Sequence, residues 1–282
     1  MFSQPNSEVF IPDNTLVKSA LSRTTHLAIG AHQDDLEIMA IDGILHCFRT
    51  DGDFFTGVVM TDGKSSPRSG IYSDFSNEEM MKTRYDEQKK AAVIGNYSAQ
   101  IMLGFTSSQL KNQADISPED DIIKLLEATS PKILYTHNLA DKHSTHIAVA
   151  IRVIQAIRQM DKMHHPVRVY GCEVWRDLDW MPDSEKVIFN TSDHTNLQEA
   201  LLGVFDSQIS GGKYYNLATM GRRLANATFF ESHSVDQASH QVYAMDLTPL
   251  IESPTLDIEE FICEQIDKFK QEVRNVIKAT LS

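Results

Sequence analysis

Two groups of side chains in this chain have the types and spacing to do chemistry. The first is Ala31-His32-Gln33-Asp34-Asp35-Leu36-Glu37, which follows the apolar run Leu27-Ala28-Ile29-Gly30. The second is Asp141-Lys142-His143-Ser144-Thr145-His146. His32, Asp35 and His146 would supply two imidazoles and one carboxylate. That donor set suits a catalytic Zn2+, which takes three protein ligands and leaves one position open for water; another divalent metal is the alternative. Such a metal lowers the pKa of its bound water from about 15.7 to about 7. A neighbouring carboxylate must then accept the water's proton. Asp34, beside Asp35 but directed differently, can serve as that base. His143 shares a helical face with His146 if the helix has already begun there. It could polarise a substrate carbonyl or protonate a leaving group. Simpler roles compete: Asp34 and Asp35 could cap a helix, and His-x-x-His could be a solvated helix face. The coincidence of both groups at strand ends favours the metal site.

The elements that would position these groups alternate. Strands are expected over 26–31, 54–60, 100–103, 132–136 and 167–172, with an added strand over 241–245. Helices are expected over 36–48, 77–94, 118–128 and 143–160. Ile147, Ile151 and Ile154 fall on one face of the last of these. Further helices are expected over 194–205, 213–227 and 257–280. This rhythm predicts an α/β fold, a Rossmann-like, mostly parallel sheet with helices on both faces. Ligands of such sheets bind beyond the carboxyl ends of the strands, where both groups fall. The polar Gly/Ser/Pro-rich segment 62–76 reads as a long loop at the same end of the second strand. No composition shift marks a second domain. Residues 1–282 read as one domain, with a motif-bearing core over about 24–235 and a C-terminal extension over about 236–282.

Composition narrows the classes. The 282 residues are 41% hydrophobic and carry a formal net charge of -13. An acidic chain without a Lys/Arg tract is a poor nucleic-acid binder and a poor ligand for anionic membranes. No apolar run reaches the ~18 residues of a membrane span. The N-terminus lacks the pattern of a signal peptide. Three well-separated cysteines, Cys47, Cys172 and Cys263, form neither a disulfide framework nor a CxxC site. A cytoplasmic, reducing location is expected. No GxGxxG follows the first strand, which argues against a dinucleotide cofactor.

Other candidates carry less. His26 at the start of its strand reads as structural, and His46 as a helix-surface residue. His137 ends the 132–136 strand and reads as a hydrogen-bonding residue near the metal rather than a ligand. Arg68 in the 62–76 loop and His233 near the C-terminal third are candidate substrate contacts, with Glu231 beside them.

Ala31–Ile38 resembles the AHPDDxE signature of the LmbE-like, or PIG-L, deacetylase family. His137–His146 resembles that family's second motif, H-x-x-x-D-x-H-x-D-H. Thr61-Asp62-Gly63 and Arg84-Tyr85-Asp86-Glu87 resemble its T-D/R-G turn and R-x-x-E helix, and Phe230-Glu231 weakly resembles the A-E of its A-E-A-F segment. The resemblance spans roughly residues 24–235. It implies a Rossmann-like fold and zinc-dependent hydrolysis of the amide of N-acetylated amino sugars or their conjugates. Metal ligands then fall on His32, Asp35 and His146, the general base on Asp34, and the histidine assisting at the carbonyl on His143. Family members are often homo-oligomers. Hydrolysis of a non-sugar N-acyl amine, or metal or sugar binding without turnover, are the alternative activities. The chain departs from the pattern at three places. Gln33 replaces a proline, which removes a φ restraint and predicts a less rigid metal loop. Thr145 replaces an aspartate that tunes the assisting histidine. Met39-Ala40-Ile41-Asp42 stands where many members are glycine-rich.

Overall fold

Chain segments with continuous apolar runs form the centre of the sheet, and amphipathic segments cover it. The computed structural model describes residues 2–282. In chain order the first elements are β1 (Glu8–Phe10), α1 (Val17–Ser22), β2 (His26–Gly30), α2 (Asp35–Met39), α3 (Ile41–Arg49) and β3 (Phe55–Thr61). Next come α4 (Asn77–Ile94), β4 (Ala99–Phe105), α5 (Ser107–Lys111), α6 (Ser117–Thr129), β5 (Ile133–His137), α7 (Ser144–Gln159) and β6 (Arg168–Cys172). The remainder is β7 (Lys186–Asn190), α8 (Thr195–Gly203), α9 (Asp206–Ile209), α10 (Tyr215–Phe229), β8 (Gln241–Asp246), α11 (Thr248–Glu252) and α12 (Ile258–Leu281).

Among the described residues the strands form one eight-stranded sheet in the order β1-β4-β3-β2-β5-β6-β8-β7. The five strands β4, β3, β2, β5 and β6 are parallel. The edges are antiparallel: β1 on β4, and β8 with β7 beyond β6. Every residue of β2, β3 and β4 is buried, as expected of parallel strands covered on both faces. Alternation along β2 assigns the faces. Leu27 and Ile29 join a core with Val149 and Val153 of α7 and Ile122 and Leu126 of α6. Ala28 joins a second core with Leu36, Ile41, Ile44 and Leu201 from α2, α3 and α8.

The α/β sheet agrees with the expectation from sequence, with local differences. The expected helix over 36–48 is broken at Ala40 (φ -107°, ψ 23°). The buried Arg223 guanidinium donates to the carbonyl oxygens of Glu37 and Ile38 at 2.8 and 3.2 Å. A partner remote in sequence thereby satisfies the terminal carbonyls of α2. β1 and β7 were not expected: β1 is three residues long, and β7 is half-buried, with no alternation to mark it. β8, from beyond residue 236, lies between β6 and β7.

Candidate metal and hydrolytic site

The sheet order reverses direction at β2 and β5. From β2 the chain proceeds outward through β3 and β4, then returns to place β5 on the other side. A crevice opens at the carboxyl ends of strands at such a reversal. The His32 loop leaves β2 there and the His143 loop leaves β5, so both groups identified in the sequence face one crevice. The two strand ends are tied by the Ala31 amide, which donates to His137 Nε2 at 2.8 Å.

Three donor atoms converge at this point. His32 Nδ1 lies 3.1 Å from His146 Nε2 and 3.2 Å from Asp35 Oδ2, and His146 Nε2 lies 3.4 Å from Asp35 Oδ2. Metal bonds of about 2.0–2.2 Å in a tetrahedron put ligand atoms roughly 3.3–3.6 Å apart. The triangle therefore matches one face of a tetrahedral site within a few tenths of an ångström, and the donor set fits a divalent metal such as zinc. Asp35 keeps its carboxylate form: burial would raise its pKa, but His146 and His137 hold it well below the usual range. His146 Nδ1 faces Asp141 Oδ2 at 3.4 Å, the carboxylate–imidazole arrangement that orients a metal-binding histidine. His137 is also within 3.4 Å of Asp35 Oδ2. Its Nε2 lone pair is occupied by the Ala31 N–H, and its ring stacks on His146 at 3.9 Å. Asp35, His137 and His146 thus form a second buried group that could hold a metal ion, while the Ala31 contact gives His137 a bracing role between the strand ends.

Asp34 sits in the left-handed region (φ 93°) at the N-cap position of α2, without a side-chain bond to the helix amides. A non-glycine residue rarely adopts this conformation. The turn directs Asp34 and Asp35 apart. Asp34 Oδ2 is buried without a hydrogen-bond partner, with Arg84 NH2 at 3.7 Å. Burial pushes the Asp34 pKa up to about 7, opposed by the Arg84 charge. A carboxylate so placed is tuned for proton transfer near neutral pH.

Gln33 does not leave the loop loose. Its side chain is fully buried; Nε2 donates to Thr61 O at 3.1 Å and Oε1 accepts from Arg84 Nε at 3.3 Å. Arg84 NH2 also donates to the Gln33 carbonyl. The rigidity expected of proline at this position is supplied by hydrogen bonds across the crevice floor. Close by, Gly63 (φ 70°) packs so tightly that an added Cβ would meet Gln33 Oε1 at 2.6 Å. Glu37 is buried beneath the loop and accepts from Tyr97 Oη and Gln88 Nε2, both at 2.8 Å.

His143 is the N-cap of α7 rather than its first residue. Its Nδ1 accepts from the Thr145 N–H at 3.3 Å. The ring proton is then on Nε2, the neutral tautomer. Burial and the neighbouring His32 lower the His143 pKa further. The ring stacks on His146 at 4.6 Å, so the two histidines share a face although the helix starts after the first. The neutral state follows from the cap contact, whatever residue occupies position 145.

These groups open into a cavity of about 740 Å³. His32, Asp34, Asp35 and His143 lie on its wall with Lys64, Trp175, Lys213, Tyr215 and Arg222. Arg68 is not on the wall. Its NH2 donates to Lys64 O at 2.8 Å and Asn77 Oδ1 at 2.7 Å, bracing the 62–76 loop. His233 is exposed in the segment before β8, away from the lining. Both therefore stand apart from the substrate contacts expected of them. Trp175, Tyr215 and Arg222 were missed. Trp175 follows the end of β6, a position that marks the crevice once the strand order is known. Tyr215 and Arg222 come from α10, whose approach to the crevice is a tertiary fact.

Comparison with known proteins bears on the family and the fold. Residues 27–157 match the model of the family described as PIG-L, GlcNAc-PI de-N-acetylase. The uncharacterized deacetylase YaiS of Escherichia coli (strain K12) is 33% identical over 141 residues, covering 49% of this chain and 70% of YaiS. The fold resembles that of the N,N'-diacetylchitobiose deacetylase from Pyrococcus horikoshii (TM-score 0.64, 13% identity, 88% of this chain and 92% of that one). It also resembles GalB, the 4-carboxy-2-hydroxymuconate hydratase from Pseudomonas putida KT2440 (TM-score 0.63, 17% identity, 79% and 95%). At these identities the structural likeness establishes the fold alone. The sequence match to YaiS and the two motifs gathered in one crevice establish more: the chain belongs to the PIG-L, LmbE-like family of deacetylases.

Proposed function

We propose that this protein is a zinc-dependent hydrolase that removes the acetyl group from an N-acetylated amino sugar or sugar conjugate. The observation that carries the reading is the triangle of His32 Nδ1, Asp35 Oδ2 and His146 Nε2 with the unpartnered Asp34 carboxylate beside it. When bound by these three residues, a divalent metal would acidify a water molecule and polarise the acetamide carbonyl. Asp34 accepts the proton of the attacking water. The neutral His143 donates Nε2–H to the acyl oxygen as charge builds on it, as an oxyanion-hole donor does. His143 has no free lone pair for proton transfer, because Nδ1 is used by the cap of α7. Asp34 therefore returns its proton to the departing amine.

The cavity supports a substrate of sugar size: aromatic walls with a few polar groups are what small-molecule sites use to bury and orient a ligand. Residues 1–282 act as one domain in this reading, since β8 from the C-terminal extension completes the sheet. No helix among the described residues is long and apolar enough to cross a membrane. The three cysteines are unpaired, which supports a reducing, cytoplasmic location.

Acetate release from N-acetylglucosamine and its conjugates, compared with simple N-acyl amines, tests the substrate class. Asp34→Ala should lower turnover by about 10²–10⁴-fold while bound zinc stays near one per chain. Loss of metal together with activity would make Asp34 a ligand and defeat the assignment. Release of acetate from none of the substrates, with metal bound, would point to binding without turnover.

A further inference from the structure

His26, His46 and Asp53 gather at the opposite end of the sheet from the crevice. His26 opens β2, whose other end leads into the metal loop roughly 13 Å further along the strand. His46 comes from the last turn of α3, and Asp53 from the connection between α3 and β3. One donor atom of each residue lies within 4.8 Å of the other two. His46 Nε2 and Asp53 Oδ2 are 2.8 Å apart, and the His26 and His46 ring centroids are separated by 4.7 Å. The side chains of His46 and Asp53 are 40 and 24% exposed, so a hydrated ion can reach them, whereas His26 is buried behind them. None of the three lines the crevice.

The surroundings of His26 leave one of its nitrogens for a ligand. Thr25 Oγ1 accepts from the Phe54 N–H at 2.9 Å and donates to Phe54 O at 3.3 Å. His26 Nδ1, 3.0 Å from the same hydroxyl, is therefore the donor of that pair. Its other neighbour, Cys47 Sγ at 3.3 Å, also lies on Nδ1. Nε2 then keeps its lone pair. An imidazole held in this way by its far nitrogen is oriented for a metal. Two imidazoles and a carboxylate suit zinc and the neighbouring first-row divalent metals. The group is less drawn together than the catalytic triangle. Among the described residues, His46–Asp53 is the one pair of the three in hydrogen-bond contact, so admitting an ion requires His46 and Asp53 to part slightly and turn towards His26. That movement makes this the weaker site. We propose that His26, His46 and Asp53 form a second divalent-metal site, structural rather than catalytic. It fastens the connection between α3 and β3 to the start of β2, and it fills at zinc concentrations well above those that saturate the crevice.

Calorimetric titration of the full chain with zinc tests this. The unaltered chain should bind in two steps, the weaker in the micromolar range. Asp53→Asn keeps an acceptor for His46 but supplies a far poorer ligand. It should weaken the second step by at least about tenfold, the smallest loss expected even for a residue that only supports a ligand, and leave the first step and the melting of the metal-free chain unchanged. His46→Ala should weaken the second step at least as much. With His32→Ala and His146→Ala removing two crevice ligands, the weaker step alone should remain. A chain that binds no second zinc at millimolar concentration would overturn the proposal. So would a second step indifferent to Asp53→Asn or to His46→Ala, which would mark an adventitious ion only, or one that disappears with the two crevice histidines.

Discussion

Gln33→Ala is the most informative single substitution in the metal loop. It removes the 3.1 Å bond to Thr61 O and the 3.3 Å bond from Arg84 Nε. A neutral hydrogen bond contributes about 1 kcal/mol and one to a charged group about 1.5–3 kcal/mol. The two sites are buried, so their orphaned partners regain little from water. The expected loss of stability is about 2–4 kcal/mol, a large share of the 5–15 kcal/mol typical of a folded domain. It is read from urea unfolding with the denaturant slope unchanged. A catalytic effect should accompany it. Arg84 NH2 now stands 3.7 Å from Asp34 Oδ2, and its other bonds hold it there. Without the Nε bond to the Gln33 side chain, the guanidinium is held only through NH2 at the residue-33 carbonyl and can pivot towards Asp34 and stabilise the carboxylate. Each unit by which the Asp34 pKa falls is about 1.4 kcal/mol of lost proton affinity. Turnover should drop roughly tenfold with bound metal and KM little changed. Gln33→Glu keeps an acceptor for Arg84 but faces Thr61 O with a second acceptor, so it should retain more activity than the alanine variant. An alanine variant within about 0.5 kcal/mol of the parent, with full turnover, would refute the idea that this side chain replaces the restraint of a proline.

Two further outcomes follow from the structure. His26 is buried between Thr25 and Cys47, and burial, aided by His46, lowers its pKa from 6.5 to about 4. The unfolded chain takes up this proton first, so the contribution of His26 to stability is intact above pH 6.5 and is lost as pH falls towards 4. At pH 5 the loss is about 1–2 kcal/mol after allowing for partial solvent screening; His26→Gln should flatten the pH dependence of the urea midpoint between pH 6.5 and 5, and an unchanged slope would exclude His26 as its source. Saturation with zinc at about a thousand times its Kd should raise the unfolding free energy by about 4 kcal/mol. A chelator or His146→Ala should remove that increment in thermal melts, whereas a wild-type melt indifferent to both zinc and chelator would argue against the three-ligand site.

Several parts of this architecture are legible in the sequence alone. The buried strand before His32 was readable from its uninterrupted apolar run, and α7 from the spacing of its isoleucines, because both patterns are local. Helix α2–α3 was not readable as two pieces, since its break depends on Arg223, 186 residues from Glu37. Arg68 and His233 were plausible by residue type, but type says nothing about which way a loop turns. Arg68 is consumed within its own loop, and His233 lies on the surface.

By itself the sequence determined the chemical inventory: two imidazoles and two adjacent carboxylates, each at the end of a strand, with side-chain type and local periodicity sufficient to say so. The tertiary structure alone decided that β2 and β5 are neighbours and that three donor atoms meet within 3.4 Å. It also decided that Gln33, rather than loosening the metal loop, is clamped to Arg84, 51 residues away. The physical reason is that a hydrogen bond or a metal ligand acts over about 3 Å, and contacts of that range between distant segments exist only after the chain has folded.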